Sequence, residues 1–277
     1  MERRKSLKIL SWNIEHGGYR SYDDRSPKPM KMEMIIEAVR QVNADVVSLV
    51  DVFRWSEVYS SQELGDKFGF ENVYMTDFED KGSKHKNGQL GLVVMTNLTV
   101  NRFEKFRAYD RNFIKTSVTV GDKKLDVFSI HLNHASEEKR AKETQKILDL
   151  VKINSPTIIT GDFNTIDKDD LVDTRKMTDH PIIKVGSIIK KSRPIIVGMY
   201  PATITQKFVE ARLTDFGKDR GNTFPTFRVP LVLKRPAARL DYAFGSKEVK
   251  LLSFKVLRDK KFEKLSDHYP ILVEINL

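Results

Sequence analysis

Apolar and β-branched residues fall in short runs along this chain, and several of the runs end in polar residues. The clearest run is TIIT at 157–160, which is followed by GDFN at 161–164. The run predicts a buried β-strand, and the glycine after it is expected to let the backbone turn. Because side chains alternate across a strand, Asp162 and Asn164 are expected to project from one face. An ordinary strand-to-turn transition has the same composition, since Gly, Asp and Asn are common turn residues.

The same patterning predicts alternating strands and helices along the whole chain. Strands are predicted at 7–13, 44–52, 72–75, 90–95, 99–105, 113–120, 124–130, 157–160, 239–244, 250–257 and 271–277. Apolar residues at helical spacing predict helices at 30–42, 62–68, 137–151 and 202–213. Residues 76–89 are expected to form an exposed loop, and the pattern of residues 165–222 is the least clear. No linker or repeat interrupts the chain, so one domain over residues 1–277 is the expected organisation.

Polar side chains at the predicted strand ends form an oxygen-rich set. They are Asn13, Glu15, Asp51, His131, Asn133, Asp162, Asn164, Arg239, Asp241, Asp267 and His268. Carboxylate and amide oxygens suit a hard cation such as Mg²⁺ or Mn²⁺, whereas zinc prefers more imidazole. Imidazoles and amides can donate hydrogen bonds to phosphate oxygens as negative charge develops on them. The set therefore indicates metal-assisted chemistry on a phosphate ester.

Composition and charge narrow the class of protein. Hydrophobic residues make up 40% of the 277 positions and charged residues 31%, which is typical of a globular protein. Lys and Arg outnumber Asp and Glu by 48 to 38, and the net charge of +10 favours polyanionic partners such as nucleic acid, anionic lipid headgroups or phosphorylated small molecules. The chain has no cysteine, which excludes disulfides, thiolate chemistry and cysteine-based zinc sites. No Walker-type glycine-rich phosphate loop is present, which argues against nucleotide-triphosphate chemistry.

Targeting signals are not recognisable in the sequence. A membrane-spanning helix needs about 18 consecutive apolar residues, and the sequence contains no apolar run of that length. The apolar stretch at 7–10 is too short for the core of a signal peptide. We therefore expect a cytoplasmic protein, monomeric and without membrane insertion.

Five short motifs give the chain a specific resemblance to a known family. They are SWN at 11–13, SIHL at 129–132, GDFN at 161–164, RLDY at 239–242 and SDHYP at 266–270. In this order they resemble the endonuclease/exonuclease/phosphatase superfamily of metal-dependent phosphoesterases, which includes abasic-site endonucleases, DNases, deadenylases, sphingomyelinases and inositol phosphatases. The stretch HLNH at 131–134, with Ser136 and Arg140, most resembles the poorly characterised bacterial and archaeal hydrolases of that superfamily.

The resemblance implies an α/β fold and a hydrolytic activity. The fold would be a four-layer α/β/β/α sandwich, in which two mixed sheets pack face to face and the active site lies at one sheet edge. The activity would be cleavage of a phosphoester by water, with Mg²⁺ or Mn²⁺ as cofactor. Asp51 would be the principal metal ligand, and Asn13, Glu15 and Asp267 would support the metal.

The resemblance also assigns catalytic and phosphate-binding roles. Asp162 would orient or deprotonate the attacking water, and His131 would stabilise the transition state. His268 would contact the phosphate, with its tautomer fixed by Asp241, and Asn164 would bind the phosphate beside Asp162. The residues expected to bind substrate phosphate are Asn13, His131, Asn164, His268 and Arg239. For Arg239 an ion pair with a neighbouring carboxylate is the alternative, and the histidines at 16, 85, 134 and 180 are expected in loops or on the surface.

One departure from the family pattern affects the metal site. The family usually carries Gln-Glu at the end of the second strand, whereas this chain has Val50 and Asp51. Asp is one methylene shorter than Glu, roughly 1.5 Å of reach. The metal is then expected to sit deeper, to bind more weakly or to depend on Glu15.

Three functions remain open at this stage. The first is a phosphodiesterase that acts on DNA or RNA, by endonuclease or exonuclease action, and it agrees with the net charge of +10. The second is a phosphoesterase or phosphatase for small or lipid-linked substrates. The third is a phosphate- or nucleic-acid-binding relative in which the change at Val50 and Asp51 has weakened catalysis. The basic stretch Lys184–Arg193 is expected to be a solvated face rather than a binding groove.

Overall fold

Twelve strands and six helices make up the described part of the chain. The computed structural model describes residues 6–79, 89–109, 111–152, 154–170, 203–224, 226 and 238–277. The strands are β1 (Leu7–Asn13), β2 (Val46–Val50), β3 (Asn72–Glu79), β4 (Gln89–Thr96), β5 (Val100–Ala108), β6 (Arg111–Val120), β7 (Lys123–His131), β8 (Thr157–Asp162), β9 (Thr214–Asp215), β10 (Asp241–Gly245), β11 (Lys250–Val256) and β12 (Ile271–Asn276). The helices are α1 (Met32–Val42), α2 (Trp55–Val58), α3 (Ser61–Phe68), α4 (Glu137–Leu148), α5 (Ile204–Glu210) and α6 (Lys260–Glu263).

The strands form two six-stranded sheets. The order is β11-β12-β1-β2-β4-β3 in the first sheet and β5-β6-β7-β8-β10-β9 in the second. Both sheets are mixed, because β1 runs parallel to β2 and β7 runs parallel to β8 while the other pairings are antiparallel. The predicted α/β sandwich of two mixed sheets is therefore confirmed.

Alternating side chains on the strands fill two cores. On β1, Leu7 and Ile9 join the core between the sheets, whereas Leu10 and Trp12 pack in the core that α1 and α3 cover. The β1 pattern thus follows the period of two that a strand buried on both faces requires. Between the sheets, the hydroxyls of Ser48 on β2 and Ser129 on β7 lie 2.5 Å apart and satisfy each other.

Gly161 has a different role from the predicted one. Strand β8 continues through Gly161 to Asp162, so the glycine does not make the turn. Its φ is +144°, and a Cβ atom there would lie 1.9 Å from the carbonyl oxygen of Ile130. Glycine therefore allows β8 to approach β7 closely. The chain turns only at Asn164, whose φ is +48°.

Other boundaries differ from the sequence prediction where the pattern is short or polar. The predicted loop at 76–89 is partly strand, because β3 continues to Glu79 and β4 begins at Gln89. The short elements α2, β9 and α6 were not predicted, since four residues or fewer carry no recognisable period. The basic stretch Lys184–Arg193 lies outside the described residues. Among the described helices, none has the length and apolar character needed to cross a membrane.

Candidate active site

Strand pairing and the packing of the two sheets bring four predicted site residues to one edge of the sandwich. In the second sheet, His131 at the end of β7 and Asp241 at the start of β10 are both register partners of Asp162. Asn13 ends β1 in the first sheet, and its amide nitrogen lies 2.9 Å from Asp162 Oδ2. All four side chains are buried. The polar strand ends that the sequence singled out therefore converge from both sheets.

Asp162 is the centre of this group. Its Oδ2 accepts a hydrogen bond from Asn13, and it lies 3.6 Å from His131 Nε2 and 3.9 Å from His268 Nε2. Its Oδ1 accepts the backbone N–H of Asn164 at 2.8 Å. Burial raises the pKa of Asp162 to about 7, and the nearby positive charge of His268 opposes this rise. A carboxylate with a pKa near neutrality is suited to accept a proton from water.

His268 forms a charged pair with Asp241. Its Nδ1 lies 2.8 Å from Asp241 Oδ2, and an ionised carboxylate can only accept, so the imidazole donates. Burial alone would lower the pKa of His268, but the carboxylates of Asp241, Asp162 and Asp267 outweigh it and raise the pKa to about 10. The ring is therefore an imidazolium at neutral pH, and its Nε2–H faces Asp162 and Asp267.

His131 has the opposite character. Burial lowers its pKa well below the usual value, and the positive charges of Arg111, His134 and His268 lower it further. The ring is thus neutral, and its Nδ1 has no hydrogen-bond partner within the described ranges. A neutral imidazole in this position can donate or accept one hydrogen bond without bringing a charge into the site.

Three carboxylates form a second group beside this centre. Burial raises the pKa of Glu15, and the negative charges of Asp267 and Asp51 add to the rise. Burial also raises the pKa of Asp267, and the charge of Asp51 contributes. Repulsion among like charges is relieved when a cation binds beside them, and an all-oxygen donor set fits Mg²⁺ or Mn²⁺. The donor chemistry of these residues therefore fits the predicted cation, and Asn13 adjoins them through its Oδ1, which accepts the N–H of Glu15 at 3.0 Å.

A different trio is more compact. Ligand atoms of Asp162, Asp241 and His268 all lie within 4.8 Å of one another. His268 can ligate a metal only when it is neutral, however, and its Nδ1 is engaged by Asp241. This trio is therefore better suited to holding and moving a proton than to holding the cation.

Backbone contacts fix the position of the two key histidines. The indole of Trp12 donates to the carbonyl of His268 at 3.0 Å, and the Ser266 hydroxyl accepts the N–H of His268 at 3.0 Å. Two residues after His131, the backbone of Asn133 is held by α4. Glu143 accepts the N–H of Asn133 at 2.8 Å, and Arg140 donates to the carbonyl of Asn133 at 2.7 Å. Helix α4 thereby anchors the turn that follows β7.

Asn164 lies in the site, whereas Arg239 is directed elsewhere. The Asn164 amide nitrogen donates to the carbonyl of Leu132 at 3.0 Å. The Arg239 guanidinium, 2% exposed, donates to Asp170 at 2.9 Å and to Asp215 at 2.6 Å. These are the ion pairs expected as the alternative to phosphate binding, so the assignment of Arg239 to phosphate is withdrawn. A guanidinium paired with two partly buried carboxylates has no net positive charge to offer a substrate phosphate.

Two residues at the site were missed by the sequence analysis. Tyr22 donates from its hydroxyl to both oxygens of Asp51, at 3.0 and 2.8 Å. Arg111, at the start of β6, is buried and lies 3.4 Å from the carbonyl of His131. Tyr22 belongs to the polar loop after β1 and Arg111 precedes the predicted strand at 113–120, so neither carried a periodic signal. His16 and His134 were expected in loops or on the surface. They lie in the segments that follow β1 and β7, where the His16 backbone N–H donates to Asp51 at 3.1 Å and His134 Nδ1 lies 3.4 Å from the Arg111 guanidinium.

Solved structures of similar fold cover nearly the whole chain. An endonuclease/exonuclease/phosphatase from Beutenbergia cavernae is 18% identical with a TM-score of 0.69, covering 99% of this chain and 72% of that chain. An AP endonuclease from Archaeoglobus fulgidus is 14% identical with a TM-score of 0.64, covering 96% of this chain and 98% of that chain. A mannosyl-6-phosphatase from Bacteroides thetaiotaomicron is 16% identical with a TM-score of 0.62, covering 98% of this chain and 100% of that chain.

Sequence comparison identifies the family to which the site belongs. No curated protein matches the chain significantly. A family model described as Endonuclease/Exonuclease/phosphatase matches residues 10–268, a span that includes every site residue discussed above. That family consists of hydrolytic phosphoesterases, as the sequence motifs predicted. With its fold, its motif order and this match in agreement, the chain belongs to the endonuclease/exonuclease/phosphatase family.

Proposed function

We propose that this protein is a divalent-cation-dependent phosphodiesterase that hydrolyses nucleic acid. The observation that supports a nucleic-acid substrate is a basic aromatic surface beside the site, formed by Tyr109, Lys139 and Lys142. The Tyr109 ring is 51% exposed, and the ammonium groups of Lys139 and Lys142 lie 5.7 and 5.0 Å from its centroid. An exposed aromatic ring next to lysines is an arrangement on which a base stacks while its phosphates meet positive charge, a charge that Lys142 shares with the exposed carboxylate of Glu138 at 2.7 Å.

This surface adjoins the catalytic residues along the second sheet. Tyr109 lies between β5 and β6, and Ala108 pairs with Arg111 at the start of β6. Strand β6 is antiparallel to β7, with Ile114 opposite Ser129, so Arg111 lies at the end of the sheet where His131 lies. Strand β5 is two strands from β7, about 10 Å across the sheet. A strand of nucleic acid held in the site would therefore pass Tyr109 within a short distance of the scissile phosphate.

Each residue of the site would have its own role in hydrolysis. Asp162 accepts a proton from water, whose oxygen bonds to phosphorus as the ester P–O bond breaks and the leaving oxygen takes a proton from solvent. The His268 imidazolium and the neutral His131 donate to phosphate oxygens as charge develops. Asn13 and Asn164 hold Asp162 in place. A bound Mg²⁺ or Mn²⁺, held by Asp51, Glu15 and Asp267, would supply charge neutralisation at the phosphate.

The first test is hydrolysis of bis(p-nitrophenyl) phosphate with Mn²⁺, Mg²⁺ or EDTA. The matched variant is Asp162→Asn, which keeps the shape of the side chain and its place among Asn13 and Asn164. We expect turnover that requires the cation and falls at least about 100-fold in the variant. Equal turnover in EDTA, or in the variant, would refute the proposed centre.

A substrate panel then tests the nucleic-acid assignment. Single-stranded DNA, duplex DNA and RNA are compared with mannose 6-phosphate and phosphorylated lipid headgroups at equal concentration. We expect cleavage of nucleic acid, with binding that weakens steeply as salt rises. Turnover of the small phosphates alone, with salt-independent binding, would assign the site to small or lipid-linked substrates.

A further inference from the structure

Asp51 is held by a hydroxyl from a loop that precedes it in the chain. The Tyr22 hydroxyl lies 3.0 Å from Asp51 Oδ1 and 2.8 Å from Oδ2, so its single hydrogen is shared between the two oxygens. The backbone N–H of His16 donates to Oδ2 at 3.1 Å. Asp51 itself is buried and adopts a φ of +61°, a conformation that is uncommon for a non-glycine residue.

The Tyr22 ring is fixed independently of its hydroxyl. It packs edge-on against His16 with ring centroids 4.2 Å apart and against Phe53 with centroids 5.2 Å apart. Two aromatic contacts of this kind hold the ring and hence the position of the hydroxyl oxygen. The hydrogen bonds to Asp51 therefore come from a group that is already in position rather than from a freely rotating side chain.

These contacts affect how Asp51, whose side chain is shorter than that of Glu, can bind a cation. Members of the family usually carry Glu at the place of Asp51, and Asp has one methylene less. An ionised carboxylate offers about four acceptor positions; the Tyr22 hydroxyl lies near both oxygens, and the His16 N–H takes a further position on Oδ2. The remaining lone pairs are thereby turned away from the Tyr22 loop, and the shorter side chain loses less rotational freedom when a cation binds.

We propose that Tyr22 is the positioning residue of the cation site, and that its hydroxyl takes the place left by the methylene that Asp51 lacks. This inference rests on the proposed function, since it treats Asp51 as a cation ligand. Partners that hydrogen-bond a metal ligand fix its orientation and strengthen its binding. Tyr22 and Asp51 would then act as a pair that replaces a single longer Glu.

The test is the affinity for Mn²⁺ alone, measured without substrate by the loss of the free-ion EPR signal. Tyr22→Phe removes only the hydroxyl and keeps the ring contacts with His16 and Phe53. The matched control is Tyr74→Phe on β3, where the ring is likewise half-buried and stacks on Phe103 at 4.1 Å. We expect Tyr22→Phe to weaken Mn²⁺ binding about 10- to 100-fold and Tyr74→Phe to leave it unchanged.

The second measurement introduces Asp51→Glu into the wild-type protein and into Tyr22→Phe. With Tyr22 intact, the longer side chain meets the hydroxyl, and we expect no gain in affinity. In the Tyr22→Phe background the added methylene occupies the vacated space, and we expect the affinity to recover. A purely structural role of Tyr22 would give no such recovery.

The outcomes separate the inference from the proposed function. Wild-type protein that binds Mn²⁺ with the same affinity as Tyr22→Phe overturns the inference and leaves the cation-dependent function standing. Wild-type protein that binds neither Mn²⁺ nor Mg²⁺ overturns the cation dependence itself, and the inference falls with it.

Discussion

His268 donates from Nδ1 to Asp241 at 2.8 Å, and the other nitrogen of the same ring lies 3.9 Å from Asp162. The imidazolium of His268 thus lies between the buried carboxylates of Asp241 and Asp162, which have different contacts. Asp241 fixes the ring and its protonation, whereas Asp162, with a pKa raised by burial to about 7, faces the position where water would be activated. Under the proposed function, Asp241 would orient His268 and Asp162 would accept the proton from water, a division of roles like that between the carboxylate and the base of a catalytic triad.

Replacing Asp241 by Asn separates these roles. The amide keeps the volume of the carboxylate but lacks its charge, so the charged form of His268 loses its closest support and its pKa falls. We expect kcat on bis(p-nitrophenyl) phosphate to drop about 100- to 10,000-fold while KM changes little. Steady-state kinetics at saturating Mn²⁺, with circular dichroism to confirm folding, make the measurement. An unchanged kcat would mean that the pair serves only to hold the fold.

The pH dependence of the free energy of unfolding tests the pairing of His268 with Asp241. The pKa of His268 is about 10 in the folded protein and about 6.5 when unfolded. The folded state thus keeps the proton over this interval, and its stabilisation is complete below about 6.5 and lost as the pH rises to about 10. We expect the free energy of unfolding in EDTA to fall across that window, with a slope approaching about 1.4 kcal/mol per pH unit. The pKa of Asp162 is raised from 3.8 to about 7, so its own contribution to the pH dependence of stability falls between those two values, mainly below this window.

Urea unfolding at a series of pH values measures this slope, and His268→Gln is its control. The variant lacks the titrating ring, so the difference between the two curves isolates the contribution of His268. Parallel curves would show that His268 does not carry a raised pKa.

Removing one carboxylate of the cation group is expected to have opposite effects in the absence and presence of metal. Asp267→Asn eliminates a negative charge that raises the pKa of Glu15. Without metal the variant should therefore be at least as stable as the wild type, since burial of the Asp267 charge and its repulsion by Asp51 together outweigh its attraction to His268. A cation at 100 times its Kd stabilises the wild type by about 2.7 kcal/mol, and the variant should lose most of this gain.

Thermal unfolding with EDTA and with Mn²⁺ tests both halves of this expectation. Asp66→Asn, an exposed carboxylate on α3, provides a surface control for the loss of one charge. An equal gain from Mn²⁺ in wild type and Asp267→Asn would remove Asp267 from the cation group.

Arg239 is expected to contribute to stability rather than to activity. Arg239→Met removes the buried guanidinium that pairs with the partly buried carboxylates of Asp170 and Asp215, and breaking a buried pair of this kind typically costs about 3–5 kcal/mol. The control is Arg102→Met, which breaks an exposed pair with Glu104 and should cost about 0–1 kcal/mol. Urea unfolding gives the stabilities, and turnover of folded protein at low temperature should be retained. Loss of turnover without loss of stability would return Arg239 to the phosphate-binding group.

Strand periodicity was sufficient to predict most of the strands and the polar residues at their ends, whereas the sandwich and the meeting of the motif residues at one edge were implied by the resemblance to the family. Asn13, His131, Asp162 and Asp241 each end or begin a strand, and alternation fixes the face to which each side chain points. The parallel pairs β1–β2 and β7–β8 bring such strand ends to the same edge. Position in a repeating pattern is a local property, and the sequence displays it directly.

Interactions that the sequence did not reveal come from segments without a period. Tyr22 reaches Asp51 from an irregular loop, and Arg239 finds Asp170 and Asp215, which are 69 and 24 positions away. Gly161 was misjudged for a related reason, since its close approach to Ile130 depends on a neighbouring strand rather than on the local sequence. Partners chosen by tertiary packing are not encoded in local spacing.

The surface formed by Tyr109, Lys139 and Lys142 provides the sharpest test of the substrate class. Tyr109→Ala removes the ring on which a base would stack, an interaction worth about 1–3 kcal/mol, so affinity for a single-stranded oligonucleotide should fall about 5- to 150-fold. Lys139→Ala and Lys142→Ala should each reduce the slope of log Kd against log salt by about 0.7 for each phosphate that the lysine would neutralise. Fluorescence anisotropy in EDTA measures binding without cleavage, over a range of salt concentrations.

The control is Lys247→Ala. Lys247 is exposed and follows the end of β10, whereas Asp241 is at the start of the same strand. Its removal takes away one positive charge from the protein without touching this surface, so the salt slope should not change. Turnover of bis(p-nitrophenyl) phosphate should be unaffected by Tyr109→Ala, because a small diester does not reach the ring. If Tyr109→Ala and Lys247→Ala bind the oligonucleotide equally well, the basic aromatic surface does not bind nucleic acid, and the substrate must then be sought among the smaller phosphoesters.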